Sequence, residues 1–219
     1  MTRDDYIRKI KNSLAIQRSV QLVGPPGVGK TTLLKKLQQD LQSEGTPCVY
    51  FSAREAIIGN GAMFWNRIDE LVKGDKQMVL ILDDLDAILP GLKHDLAFAV
   101  GLEHFVQRRQ KLVIGARSPL SSPSAYGARI AQTMKHFIVV PVGPMSREES
   151  ESLALFLAEQ YPNLILIPNF SSVTATASGG IPGVIEAVVK AMPGSDAEVQ
   201  KAAKDALNDI SESTRPDSN

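Results

Sequence analysis

The stretch Gly24-Pro25-Pro26-Gly27-Val28-Gly29-Lys30-Thr31-Thr32 constrains this chain more than any other. It matches G-x-x-x-x-G-K-[ST], a loop whose glycines let the main chain wrap closely round phosphate with successive N–H groups pointing inward. Residues 19–23, just before it, are short and apolar and predict a buried strand. Residues 30–41, just after it, place Leu33, Leu34, Leu37 and Leu41 on one helical face. Strand, loop and helix in that order turn a helix N-terminus, with its positive dipole end, toward an anion. A chance match in a chain of this length is on the order of 1 in 100, before that context is counted. The expected ligand is a nucleoside triphosphate, ATP, with Mg²⁺. Gly24, Pro26, Gly27, Val28, Gly29, Lys30, Thr31 and Thr32 form the expected binding loop. Lys30 is expected to reach the β- and γ-phosphates, and the Thr31 hydroxyl to ligate the metal.

A second element answers the first. Residues 77–82 are continuously apolar and predict a buried strand, which ends in Asp83 and Asp84. A carboxylate there completes a magnesium shell, and Asp83 is assigned that place. Asp84 follows where a general base could polarise the attacking water. Asp86 reads as a turn residue rather than a ligand. Arg117, at the end of a further strand, is suited to bidentate contact with a γ-phosphate. The candidate catalytic set is therefore Asp84, Lys30 and Arg117, with Thr31 and Asp83 on the metal.

Around these motifs the pattern alternates. Helical spacing predicts helices over 4–16, 64–72, 92–110 and 125–134. Short apolar runs predict strands over 48–52, 111–116 and 137–142. Strands that alternate with helices and lack a polar face imply a parallel sheet covered on both sides. After Pro144 the pattern becomes helical. Ser146 with Glu149 forms a capping box for a helix running to 161, and further helices are predicted over 183–192 and 196–210. The expected domains are 1–144, an α/β nucleotide-binding domain, and 145–219, a helical lid with a polar tail that frays from 211.

Composition narrows the class. The 24 basic residues balance 24 acidic ones, with a pI near 6.8. A globally basic nucleic-acid surface is excluded, and a local DNA-contacting patch stays open. The single cysteine, Cys48, lies in an apolar run and reads as core in a reducing compartment. Charged residues among the first ten positions argue against a secretory signal, and no run approaches the roughly 20 apolar residues that cross a bilayer. The expectation is a cytoplasmic protein that does not enter a membrane. Other candidates take their plainer readings. Arg129 is a solvated helix charge before it is an arginine finger. Arg108, Arg109 and Lys111, with His104 nearby, are a solvated helix end before they are a phosphate contact. Phe64 and Trp65 are core. His94, His104 and His136 lack metal-ligand spacing. The segment 118–124, rich in serine and proline, reads as a loop.

The phosphate loop, the Leu82-Asp83-Asp84-Leu85-Asp86 run and the helical tail resemble the AAA+ class of P-loop ATPases, and within it the STAND branch of signal-transduction ATPases. Residues 111–117 occupy the fourth-strand position, and Arg117 resembles that branch's sensing arginine. Ser178-Gly179-Gly180-Ile181-Pro182 resembles the lid's G-x-P element, which implies that Pro182 packs near the adenine. The resemblance covers roughly 19–192. It implies a three-layer α/β/α P-loop NTPase fold with a five-stranded parallel sheet in the order 5-1-4-3-2. It also implies a nucleotide-dependent switch acting with a protein partner or as a homo-oligomer. Asp84 stands where most AAA+ ATPases carry glutamate; one methylene less holds water more loosely and implies slow turnover. No arginine follows Pro182 closely. The alternatives are a DNA-associated AAA+ helper of the transposition or replication type and, further off, a P-loop small-molecule kinase.

Overall fold

The computed structural model describes residues 1–53, 60–72, 75, 77–92, 95–121 and 127–212. His94, residues 122–124 of the serine- and proline-rich loop, and the tail from 213 lie outside them. Contacts divide the chain into two units. One comprises Asp4–Gly24 and Lys30–Pro141, the other Met1–Arg3, Pro25–Gly29 and Val142–Asn219.

The first unit holds α1 (Arg3–Ala15) from Asp4 on, β1 (Val20–Val23), α2 (Lys30–Ser43), β2 (Cys48–Ser52), α3 (Gly61–Val72), β3 (Val79–Asp83), α4 (Leu85–Leu92), α5 (Leu96–Gln107), β4 (Lys111–Ala116), α6 (Ala128–Met134) and β5 (Ile138–Pro141). All strand pairs are parallel, and the order is β2-β3-β4-β1-β5, the expected 5-1-4-3-2 read from the other edge. Alternation along the strands sorts side chains between faces. Leu80, Leu82, Leu112 and Ile114 pack with Phe64, Trp65, Ile68 and Phe98 of α3 and α5. The opposite face carries Asp83 and Gly115, and Leu34 of α2 packs there. Phe64 and Trp65 are core, as their apolar context implies: they are 1% and 5% exposed, and the Trp65 indole donates to the Phe98 carbonyl.

Two local expectations change. The helix expected over 92–110 is shorter, running as α5 from Leu96 to Gln107, and α4 starts directly after Asp84, where a loop was expected. The later start is set by Asp95, whose side chain accepts from the Phe98 N–H at 3.0 Å and so caps α5. The same carboxylate accepts from the Gly61 N–H at 2.7 Å, which ties the start of α3 to it. Its pKa is lowered by those hydrogen bonds, that from Gly61 first.

The second unit contains α7 (Arg147–Ala158), α8 (Pro162–Ile165), α9 (Phe170–Ala177), α10 (Pro182–Lys190) and α11 (Asp196–Glu212). Ser146 and Glu149 form the expected capping box. α9 is absent from the sequence-level reading because its serine, threonine and valine content lowers helix propensity. Burial decides otherwise: Phe170, Thr174 and Ala175 are buried, and Phe170 shares a core with Val184, Ile185 and Val188 of α10.

Gln21 is an unusual tenant of a central strand. It is fully buried in β1, its Nε2 donates to the Met134 carbonyl at 3.1 Å, and its Oε1 accepts from the Leu120 N–H at 2.9 Å. One amide thus joins the end of α6 and the segment after Arg117 to the sheet. Gln21→Leu leaves a buried donor and a buried acceptor unpaired, so it is expected to lower stability by about 1–3 kcal/mol. Urea unfolding of the two proteins measures this, and an unchanged midpoint would show that Gln21 does not hold the segment.

Candidate functional site

Parallel sheets present their ligand sites at the carboxyl ends of the strands, and the candidate side chains collect there. Asp83 closes β3 and is fully buried. Its Oδ2 accepts from the Tyr50 hydroxyl at 2.8 Å and its Oδ1 from the Asp84 N–H at 2.9 Å. Gly115 of β4 lies beside it: a Cβ there would stand 2.5 Å from Asp83 Oδ1 and 2.9 Å from Leu34 Cδ1. Only glycine leaves that space. Asp84 sits in the left-handed region at φ 54°, which aspartate tolerates better than longer side chains, and its carbonyl starts the turn into α4. Tyr50 and Gly115 were missed from sequence. Strand alternation puts Tyr50 on the face of Ser52, and the register pairs Ser52 with Asp83, so the pairing alone could have found Tyr50.

Lys30 begins α2 and is mostly buried, with its ammonium donating to the Gly24 carbonyl at 2.7 Å. Burial lowers its pKa from the usual lysine value; Asp86, then Asp83 and Asp84, oppose that shift. Asp86 is not a loop residue as expected. It lies in the first turn of α4, and its Oδ2 is 3.3 Å from Arg117 Nε. Burial raises its carboxyl pKa, against the pull of Arg117. Lys30, Asp83, Asp84, Asp86 and Arg117 therefore form one electrostatic cluster in the first unit.

The tip of the loop groups with the second unit. Gly27 and Gly29 have φ of 75° and 92°, Val28 is fully buried, and Gly24 and Pro26 are half-buried. The Gly27 carbonyl accepts from the Gly183 N–H at 2.9 Å, and Pro182 packs over Gly29, 3.6 Å from where a Cβ would stand. Pro182 is the first residue of α10, where its fixed φ suits a helix start. Thr31 and Thr32, exposed in the first turn of α2, complete the run.

A magnesium ion fits the donor set. Among the described residues no group of three or more histidine, cysteine, aspartate or glutamate side chains could hold a metal, but magnesium needs only one or two carboxylates beside phosphates and water. Asp83 is a buried carboxylate whose surroundings are kept clear by Gly115, and the exposed Thr31 hydroxyl supplies a second oxygen. The outlying candidates keep their plain roles. Arg129 makes a two-pronged contact with Glu103 at 2.7 Å, and Arg108 pairs with Asp69 at 3.7 Å. Cys48 is half-buried, and burial raises its thiol pKa. Among the described residues no helix is long and apolar enough to cross a membrane.

Residues 20–114 match the family described as "ATPase family associated with various cellular activities (AAA)". Among curated proteins, this chain is 32% identical over 88 residues to the proteasome-activating nucleotidase of Methanospirillum hungatei, covering 40% of this chain and 21% of that one. The chaperone protein ClpB of Rickettsia prowazekii is 26% identical over 176 residues, covering 73% of this chain and 20% of ClpB. The chain thus spans about a fifth of the length of these relatives. Among solved structures, domain III of the Thermotoga maritima replication initiation protein DnaA aligns with a TM-score of 0.60 at 15% identity, over 95% of this chain and 96% of that one. A replication initiator DnaA bound to AMPPCP and single-stranded DNA aligns at 0.64 and 16%, over 96% of this chain and 71% of that one. The Aeropyrum pernix ORC1 protein in complex with DNA aligns at 0.60 and 15%, over 95% and 65%. These likenesses show the fold, a P-loop NTPase arrangement built on a five-stranded parallel sheet.

Gly115→Ala tests the space beside Asp83. The added methyl must displace the carboxylate or Leu34, so the protein is expected to lose about 1–3 kcal/mol and any magnesium dependence of nucleotide binding with it. Thermal unfolding and titrations with and without Mg²⁺ measure both, and normal values for both would show the space is unused. Lys30 gives a pH prediction. Its folded-state pKa lies below the unfolded value of 10.5, so between the two the unfolded chain holds more protons and its contribution to stability rises with pH. A triphosphate favours the charged amine, so binding in that window takes up a proton and weakens as pH rises. Calorimetric titration in buffers of different ionisation enthalpy detects the uptake, which Lys30→Met is expected to abolish.

Proposed function

We propose that this chain binds ATP with Mg²⁺ and hydrolyses it slowly, as a STAND-like AAA+ switch or assembly factor acting on a protein partner or on further copies of itself. The observation that carries the reading is the gathering of Lys30, Asp83, Asp84, Asp86 and Arg117 at the carboxyl edge of the sheet, contiguous in sequence with a phosphate loop whose Gly27 and Gly29 adopt left-handed φ.

In this reading the main-chain amides of 27–31 and the Lys30 ammonium grip the triphosphate tail. Thr31 and Asp83 would hold the magnesium, which would neutralise phosphate charge there. Tyr50 and the Asp84 N–H fix the Asp83 carboxylate for that task. Asp84 accepts a proton from water as its oxygen attacks the γ-phosphorus; the bond to the β–γ bridging oxygen breaks, giving ADP and phosphate. Arg117 contacts the γ-phosphate. Because Pro182 packs over Gly29 and Gly183 bonds to Gly27, a change in loop conformation is passed to α10.

Lys30→Ala is expected to weaken ATP binding by at least about 100-fold, the loss of a charge-assisted contact to phosphate and of its neighbours' order. Asp84→Asn, which tolerates the same left-handed backbone, is expected to bind ATP normally while turnover drops by about 100-fold, in the range for a general base. Fluorescent-nucleotide titration and phosphate release are the measurements; unchanged affinity in Lys30→Ala would sink the reading.

A second reading is favoured by the two DNA-bound fold neighbours and by the exposed Arg108 and Arg109 at the end of α5. It makes this chain a DNA-associated AAA+ ATPase. ATP-dependent, salt-sensitive binding of duplex or single-stranded DNA, reduced by neutralising Arg109, supports it; no binding at low salt excludes it.

A further inference from the structure

The mechanism above leaves Asp86 without a part. Its carboxylate is costly where it stands. The side chain is only 7% exposed, and Oδ1 is buried with no hydrogen-bond partner, while Oδ2 lies 3.3 Å from Arg117 Nε. An apolar residue in the first turn of α4 would avoid that cost, since buried polar atoms are stable only when paired. What the carboxylate does secure is Arg117. The main-chain N–H groups of Arg117 and of Asp86 itself also hold it in the charged form, so one carboxylate grips Arg117 at both backbone and side chain. An arginine held at Nε has most of its side-chain torsions fixed before its terminal amino groups. Arg117 is also the residue next after β4, whose neighbour in the sheet, β1, leads into the phosphate loop; the Gly24 N–H donates to the Ala116 carbonyl at 3.2 Å.

We propose that Asp86 is a positioning residue that fixes Arg117 so that its guanidinium meets the terminal phosphate of bound ATP, and that the Asp86–Arg117 pair thereby sets the preference of the site for ATP over ADP. The inference deepens the ATP reading and rests on it. Orientation matters here because a planar guanidinium binds phosphate through paired N–H groups, and a misdirected fork loses the bidentate contact without losing the charge. Asp86 also faces the Lys30 ammonium electrostatically. If charge balance at Lys30 were its whole role, its loss would add to that of Arg117, because Lys30 grips the phosphates independently of the Arg117 guanidinium.

The test is a set of equilibrium titrations with Mg·ADP and with Mg and a non-hydrolysable ATP analogue. They use the whole chain, Asp86→Asn, Arg117→Ala and the double variant. Asp86→Asn is expected to weaken the analogue by about tenfold, the share carried by one oriented bidentate contact, while ADP affinity stays within about twofold. Arg117→Ala is expected to give the same split, and the double variant no more than Arg117→Ala alone. Equal weakening of both nucleotides by Asp86→Asn, or additive losses in the double variant, overturns the proposal. Should Asp86→Asn fail to fold, Arg117→Lys keeps the charge without the Nε contact, and an unchanged ratio of the two affinities in that variant overturns it as well. Undiminished binding of both nucleotides by Lys30→Ala overturns the ATP reading, and this inference with it.

Discussion

A buried ammonium at Lys30 sets the terms for the carboxyl edge of the sheet. Taking a lysine out of water is expensive unless opposite charge compensates it, and here the compensation comes from Asp86, Asp83 and Asp84. Three carboxylates near one amine would in turn repel one another, and two of them have separate partners of their own. Asp83 has Tyr50 and the Asp84 N–H, and Asp86 has Arg117. The cluster has one more acid than base, counting Lys30 and Arg117 as the two cations. That excess negative charge suits a divalent cation between it and a polyanion better than it suits a polyanion alone.

Much of this was legible in the chain because it depends on local pattern. The bounds of β2 and β4 fall where the apolar runs begin and end, and the capping box at Ser146 and Glu149 is a local hydrogen-bond rule that the structure repeats. The sheet order came from a resemblance, not from periodicity, which says nothing of which strand lies next to which. The failures share a cause. α9 is built from residues that resist helix in isolation, and it forms because Phe170, Thr174 and Ala175 are buried by the surrounding helices. The expected helix over 92–110 ignored Asp95, although an aspartate before an apolar run is a readable cap.

The site was legible in its ends and opaque in its supports. The loop and Asp83 stand out as candidates because their residue types and spacings are local patterns. Tyr50, Gly115 and Gln21 are ordinary residues whose roles exist only once strands are paired. Gly115 looks like a weak point in a strand until the β3–β4 register, Leu82 opposite Ile114, brings Asp83 next to it. Asp86 misled for the same reason: a third acid after a carboxylate pair reads as a turn residue until Arg117 arrives beside it from β4.

Gly27 carries two constraints that the motif alone does not separate. The phosphate-wrapping role proposed for it calls for its left-handed φ of 75°. Packing adds a second demand, since a Cβ would meet Ile210 Cδ1 at 2.9 Å and Ile181 Cγ2 at 3.4 Å, while Gly183 approaches Gly27 so closely that its own Cβ would lie 3.0 Å from the Gly27 Cα. Two glycines facing each other let two main chains touch and share the bond from Gly183 N–H to Gly27 carbonyl. A glycine needed for phosphate alone could face open space on its other side. Here the loop's outer face is the seat of α10 and the end of α11, so any ligand that reshapes the loop must also reset a tightly packed contact. Such contacts have few alternative arrangements, so the proposed ATP switch would pass between two states instead of responding by degrees.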